Sequence, residues 1–138
     1  LFDEEGFLRM GDVGCWAENG AIKIVDRCKN MFKLSQGEYV APERVEQIYM
    51  TSPLLNCVYV EGNPLHAFTV GVVVPNWTEL HKRLQTGNQF SENGKPQPTT
   101  EELCENKEVK TVILQELNTV GRAKGLKGFE LVIQFDLL

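Results

Sequence analysis

Histidine is scarce in this 138-residue chain, with two copies, and the four cysteines (Cys15, Cys28, Cys57 and Cys104) lie far apart with no C-x-x-C step. A zinc cluster needs several ligands at short spacings, so none is expected, and reduced thiols in an intracellular compartment are the plain reading. Basic residues are in deficit too: 14 Lys and Arg face 19 Asp and Glu, leaving a net charge of -5. That balance argues against nucleic acid or an anionic membrane surface as the main partner. Long apolar runs are missing; the longest lies near Val72 to Val74, against the roughly 20 residues of a membrane span. No basic segment followed by an apolar one opens the chain, so no targeting signal is read. A G-x-x-x-x-G-K-[ST] loop is absent, as is any Ser, Cys or His set with a supporting acid, so no self-contained active site is evident. What is present, 42% apolar and 24% charged residues, suits one small domain or slightly more.

Short apolar runs and turn residues organise the first part. Phe7 to Met10, Cys15 to Ala17 and Ala21 to Val25 read as strands, and Asn19-Gly20 between the last two predicts a hairpin ending at Asp26. Asp26 to Lys33 has no clean period and reads as a linker, with Gly37 a flexible point beyond it. Pro42 at a helix start, followed by Val45, Ile48 and Tyr49, predicts a helix ending near Ser52-Pro53. Leu55 to Val60 and Phe68 to Val74 predict two strands paired across Gly62-Asn63-Pro64. Asn76 with Glu79 caps a short helix carrying Trp77, Leu80 and Leu84. Gln85 to Pro98 reads as a surface loop. Thr99 with Glu102 repeats the capping pattern, and Val109, Val112, Ile113, Leu117 and Val120 mark one longer helix ending before Gly125. Phe129, Leu131, Ile133 and Phe135, alternating with Glu130, Val132 and Gln134, predict a half-buried strand. The order fits a small α+β layer.

His66 and His81 are each isolated and are expected in surface or packing roles, as Trp16 and Trp77 are expected to anchor packing. Gly11-Asp12 beside Asp26-Arg27 carries more chemistry. A carboxylate at a glycine turn can accept both hydroxyls of a ribose, and an arginine can donate to sugar or phosphate.

The run Glu5-Gly6-Phe7-Leu8-Arg9-Met10-Gly11-Asp12-Val13-Gly14, with Trp16, Gly20, Ile22 to Lys29 and Lys33, resembles the fatty acyl-CoA synthetase signature. It continues as Gln36-Gly37-Glu38-Tyr39-Val40-Ala41-Pro42-Glu43-Arg44-Val45-Glu46, similar to the segment that follows the signature in long-chain acyl-CoA synthetases of the acyl-adenylate-forming superfamily. Val70 to Pro75 and Gly125 to Glu130 extend the likeness. Met10 stands where the family usually has Thr, Arg9 where His is common, and Cys28 where a basic or apolar residue is usual.

The resemblance implies an AMP-forming ligase that takes fatty acid, ATP with Mg2+, and CoA. Residues 1–26 would be the final β-hairpin of a large N-terminal domain, and 27–138 a C-terminal lid with a short mixed or antiparallel sheet packed by helices. By matching positions, Asp12 would hold the ribose of ATP and Arg27 would contact the same nucleotide. Lys29 would be the hinge, Gly37 would approach the CoA channel, and Lys33 has a possible part. No catalytic residue and no metal ligand is expected here, because the adenylation lysine belongs to a motif beyond Leu138; Lys124 and Lys127 do not sit in it. The large domain is the expected partner, membrane association would reside in other parts, and the expected location is intracellular, at a cytosolic face or organelle membrane.

Overall fold

The computed structural model describes residues 2–86 and 99–138. Strand β1 (Asp12–Trp16) pairs antiparallel with β2 (Ile22–Arg27) in the expected hairpin. The turn is longer than two residues: Gly20 donates its N–H to the Ala17 carbonyl at 2.9 Å, the Asn19 side chain accepts from the Ala21 N–H at 3.1 Å, and Gly20 takes the positive φ of +79°. The strand expected at Phe7 to Met10 does not form; only Leu8 bridges Phe2. Asp3 explains this, since its carboxylate accepts from the N–H groups of Glu5 (3.1 Å) and Phe7 (2.8 Å) and draws the backbone into a local turn.

The linker is shorter than expected. After the turn at Cys28 to Asn30, β3 (Phe32–Lys33) pairs with β4 (Tyr39–Val40), and helix α1 (Pro42–Tyr49) follows at once. Helix α1 stops before Ser52, whose Oγ accepts from the Leu54 N–H (3.2 Å) and donates to Glu116 Oε1 (2.7 Å).

Strands β5 (Leu55–Gly62) and β6 (Thr69–Pro75) form the expected antiparallel pair, and β7 (Val132–Leu137) joins β6 in parallel, giving a mixed sheet in the order β5-β6-β7. A parallel neighbour needs a crossover. It runs through α2 (Trp77–Thr86), α3 (Thr100–Glu105) and α4 (Lys107–Ala123). Most of the loop expected at Gln85 to Pro98 lies outside the described residues, while Gln85 and Thr86 belong to α2. The single longer helix is two: Asn106 breaks it with φ -69°, ψ 123°, then caps α4 by accepting from Glu108 and Val109. Thr99 and Glu102 form the expected capping box on α3.

One face of the sheet carries the core. Thr69, Gly71 and Val73 of β6 are buried there, with Val58 and Val60 beside them on β5 and Val132 and Leu137 on β7. Val45 and Tyr49 of α1 join the same core cluster as Val109, Ile113 and Leu117 of α4, whose spacing of four puts them on one stripe. Burying each such side chain contributes about 1.5–3 kcal/mol. The alternation expected from Phe129 to Phe135 is out of phase. Phe129 sits in a 3-10 turn (Gly128–Glu130), and a register shift after Thr69–Val132 pairs Val70 with Gln134, leaving Ile133 49% exposed. A bulge of this kind flips every later side chain, so Val132 and Leu137 both face inward. Trp77 packs on the core, but Trp16 is 77% exposed, contrary to the anchoring role expected of it.

Candidate nucleotide site and linker

Asp12 opens β1 and Arg27 closes β2, and the hairpin register sets them directly opposite each other. Opposed residues of an antiparallel pair have Cβ atoms about 5 Å apart. Both are exposed, and neither is in an ion pair or side-chain hydrogen bond among the described residues. The backbone just outside this pair is tied across the hairpin, Cys28 N–H donating to Gly11 O at 2.8 Å. A free carboxylate and a free guanidinium on adjacent strands suit a polar ligand bearing hydroxyls and negative charge.

Lys29 follows two residues later in an exposed turn held by the Arg27 carbonyl, which accepts from Asn30 (3.0 Å) and Met31 (3.3 Å). Lys33 and Gly37 lie together in the second hairpin. The Lys33 Nζ stands 5.5 Å from the centre of the Tyr39 ring, and a Cβ at Gly37 would meet only Lys33 Cε, at 3.9 Å. Glycine is required at 37 by its φ of +91°, and the space beside it is open. The loop is fastened to the β5–β6 connection: Ser35 N–H donates to His66 O (3.0 Å) and Gln36 Nε2 to Ala67 O (3.2 Å). Asp12, Arg27 and Lys29 thus form one group and Lys33 with Gly37 another.

Sequence reasoning named Asp26 as the end of the hairpin and beside Arg27, but gave its carboxylate no role of its own. It is 3% exposed, and its Oδ2 accepts from the Glu43 N–H at 3.2 Å, at the start of α1. The signal was available: Ala41 precedes Pro42 where a helix wants Ser, Thr, Asp or Asn, so the cap had to come from elsewhere. An open groove lined by residues of the sheet and α4, among them Tyr59, Val72, Lys110, Ile133 and Asp136, includes none of the site residues. No group of three or more His, Cys, Asp or Glu among the described residues could hold a metal ion, and none of their helices is long and apolar enough to cross a membrane.

No family model matches the chain. It is 44% identical over 132 residues to long-chain-fatty-acid–CoA ligase 5 of Rattus norvegicus, covering 96% of this chain and 18% of that protein. Against long-chain-fatty-acid–CoA ligase 1 of Homo sapiens the identity is 43% over 130 residues, 94% of this chain and 18% of the relative. Among solved structures, the A domain of the carboxylic acid reductase of Segniliparus rugosus, in complex with AMP and a co-purified carboxylic acid, superposes with a TM-score of 0.77 at 31% identity. That match covers 99% of this chain and 18% of the other. The fold is that of the C-terminal part of adenylate-forming enzymes. Within that class, the chain is similar over nearly its whole length to long-chain-fatty-acid–CoA ligases, and it spans about a fifth of those relatives' length.

Proposed function

We propose that this chain works within an AMP-forming long-chain fatty acid:CoA ligase, with residues 1–26 closing the large domain and 27–138 forming the lid. In the first step a fatty carboxylate attacks the α-phosphorus of ATP and pyrophosphate leaves. In the second the CoA thiol attacks the acyl carbonyl, AMP leaves and the thiol proton is released. Asp12 and Arg27 bind the nucleotide, Lys29 is the pivot of the lid, and Gly37 with Lys33 beside it borders the CoA channel. Mg2+ arrives on the phosphates of ATP, and no metal ligand is assigned to this chain.

The observation that carries this reading is the free Asp12–Arg27 pair set across the hairpin, directly before the linker. The large domain as partner is supported by the hairpin's bare apolar side: Trp16, Ile22 and Ile24 are 77%, 65% and 55% exposed, more than a finished surface of that size usually leaves open. Four free thiols, three of them exposed, suit a reducing intracellular compartment at a cytosolic face or organelle membrane. A second reading, an enzyme for another carboxylic acid, draws on the 31% identity to the carboxylic acid reductase domain, but the 44% identity to a long-chain ligase favours the fatty acid. The test is palmitate-dependent pyrophosphate exchange and palmitoyl-CoA synthesis by the full polypeptide carrying this segment. The isolated 138-residue chain, with one wall of the site, should bind ATP very weakly and make no acyl-CoA. Exchange supported only by short or aryl acids favours the second reading. No adenylation of any acid leaves a non-catalytic module.

A further inference from the structure

Helix α1 is capped from outside its own segment. Ala41 offers no side-chain acceptor and Pro42 has no N–H, so the first free donor is Glu43, which gives its N–H to Asp26 Oδ2 at 3.2 Å. The other oxygen, Oδ1, accepts from the Arg27 N–H at 2.6 Å, which fixes the carboxylate against its own strand. Asp26 is 3% exposed, so water does not substitute for these contacts while they last. Glu43 is also held on its far side, where Asn30 Nδ2 donates to its Oε1 at 2.7 Å.

The two contacts differ in one respect. Asp26 precedes Lys29 and Glu43 follows it, so the cap spans the pivot, while Asn30 and Glu43 both lie beyond it. If the lid turns about Lys29, Asn30 travels with Glu43 and Asp26 does not. We infer that Asp26 is a positioning residue, a latch that caps α1 in one lid arrangement and must release it in the other, so that it sets the balance between the two half-reactions. This inference rests on the lid reading above. Asp26 touches no substrate; it acts through the position of the lid.

The test uses the full polypeptide. Asp26→Ala should change the ratio of thioester formation to pyrophosphate exchange about fivefold, the equivalent of one helix cap of about 1 kcal/mol. Asp26→Asn keeps an acceptor oxygen and should stay within about twofold of wild type, and Asn30→Ala, whose contact does not span the pivot, should leave the ratio unchanged. Trypsin supplies a readout independent of activity: without substrate, cleavage after Arg27 and Lys29 should speed up about fivefold in Asp26→Ala only. An unchanged ratio and cleavage rate, equal loss of both half-reactions, or the same shift in Asn30→Ala would overturn the latch. If Asp26→Ala does not fold, Asp26→Ser, with a shorter and uncharged acceptor, decides by the same two readouts. A wild-type polypeptide with neither half-reaction would instead sink the ligase reading, and the trypsin comparison would still decide whether Asp26 holds the lid.

Discussion

Replacing Asp12 by alanine separates binding from folding more cleanly than the sequence alone suggested. A carboxylate beside a glycine can owe its place to turn closure, in which case its loss weakens the fold. Here the backbone beside Asp12 is held across the hairpin by the Cys28 N–H on Gly11 O at 2.8 Å, and the Asp12 side chain is exposed with no partner among the described residues. Surface substitutions away from caps and networks change stability by about 0.5 kcal/mol or less, so the melting temperature of the full polypeptide should stay within about 2 °C. Nucleotide binding should fare differently. Two hydrogen bonds from ribose hydroxyls to a charged acceptor are each worth roughly 1.5–3 kcal/mol. At 1.4 kcal/mol per tenfold, losing even one raises the KM for ATP about tenfold or lowers adenylation by that factor. Pyrophosphate exchange measured against ATP, together with a thermal melt of the same sample, checks both halves. Normal exchange per folded molecule with a lowered melting temperature would refute the assignment and return Asp12 to a structural role. Asp12→Asn retains an acceptor without the charge and should fall between the two.

Lys29→Pro should freeze the linker, because proline fixes φ and restricts Cys28 before it; one half-reaction should survive while the other slows at least tenfold, and equal loss in both counts against Lys29 as pivot. The Tyr49 phenol is pushed above its ordinary 10.0 chiefly by burial, with Glu130 adding to the rise and the Val132 N–H opposing it. Its stabilising contribution is therefore complete below pH 10 and declines as pH rises beyond it, and urea titrations should show that decline weakened in Tyr49→Phe. The same variant strands the Val132 N–H, now bonded to Tyr49 Oη at 3.0 Å, at a cost of about 1–3 kcal/mol at neutral pH. Arg44→Ala removes the charged partner of a Glu130 side chain that is 9% exposed (Arg44 Nη1 to Glu130 Oε1, 2.7 Å) and should cost about 2 kcal/mol in urea unfolding, discounted for the half-exposed arginine; Arg44→Lys should recover part of it.

The sequence was most readable where one residue decides a local structure. Gly20 set the hairpin, Pro42 the start of α1, and Thr99 with Glu102 the capping box, because each acts through bonds to its immediate neighbours. The β5–β6 pair followed from two β-branched runs either side of a turn. It was least readable where a polar side chain or a bulge interrupted an apolar run. Asp3 took the Phe7 N–H at the start of the strand expected at Phe7 to Met10, Asn106 acted as a cap in the middle of what read as one helix, and a bulge shifted the faces within β7. No local pattern announces a bulge, since Ile133 and Val132 are equally at home on either face. The candidate site divides in the same way. Asp12 and Arg27 were named from the resemblance and found paired by register, whereas Asp26, which looked like the end of a strand, turned out to hold the start of a helix seventeen residues on.

That last distance matters for the proposed lid. A linker that must adopt two arrangements does not achieve this by being soft, because a soft linker populates many positions and neither active one well. Two defined arrangements need contacts that exist in one and are absent in the other. The backbone bonds of the Arg27 to Met31 turn are short-range and can re-form after rotation. The Asp26–Glu43 contact is not of that kind, since its two ends lie on opposite sides of Lys29. Its net worth is about 1 kcal/mol, small against the several kcal/mol that bound substrates supply. A latch of that size tilts the resting population without trapping it. A much stronger tie across Lys29, such as a buried ion pair, would hold the lid in a single arrangement and stop the second half-reaction from following the first.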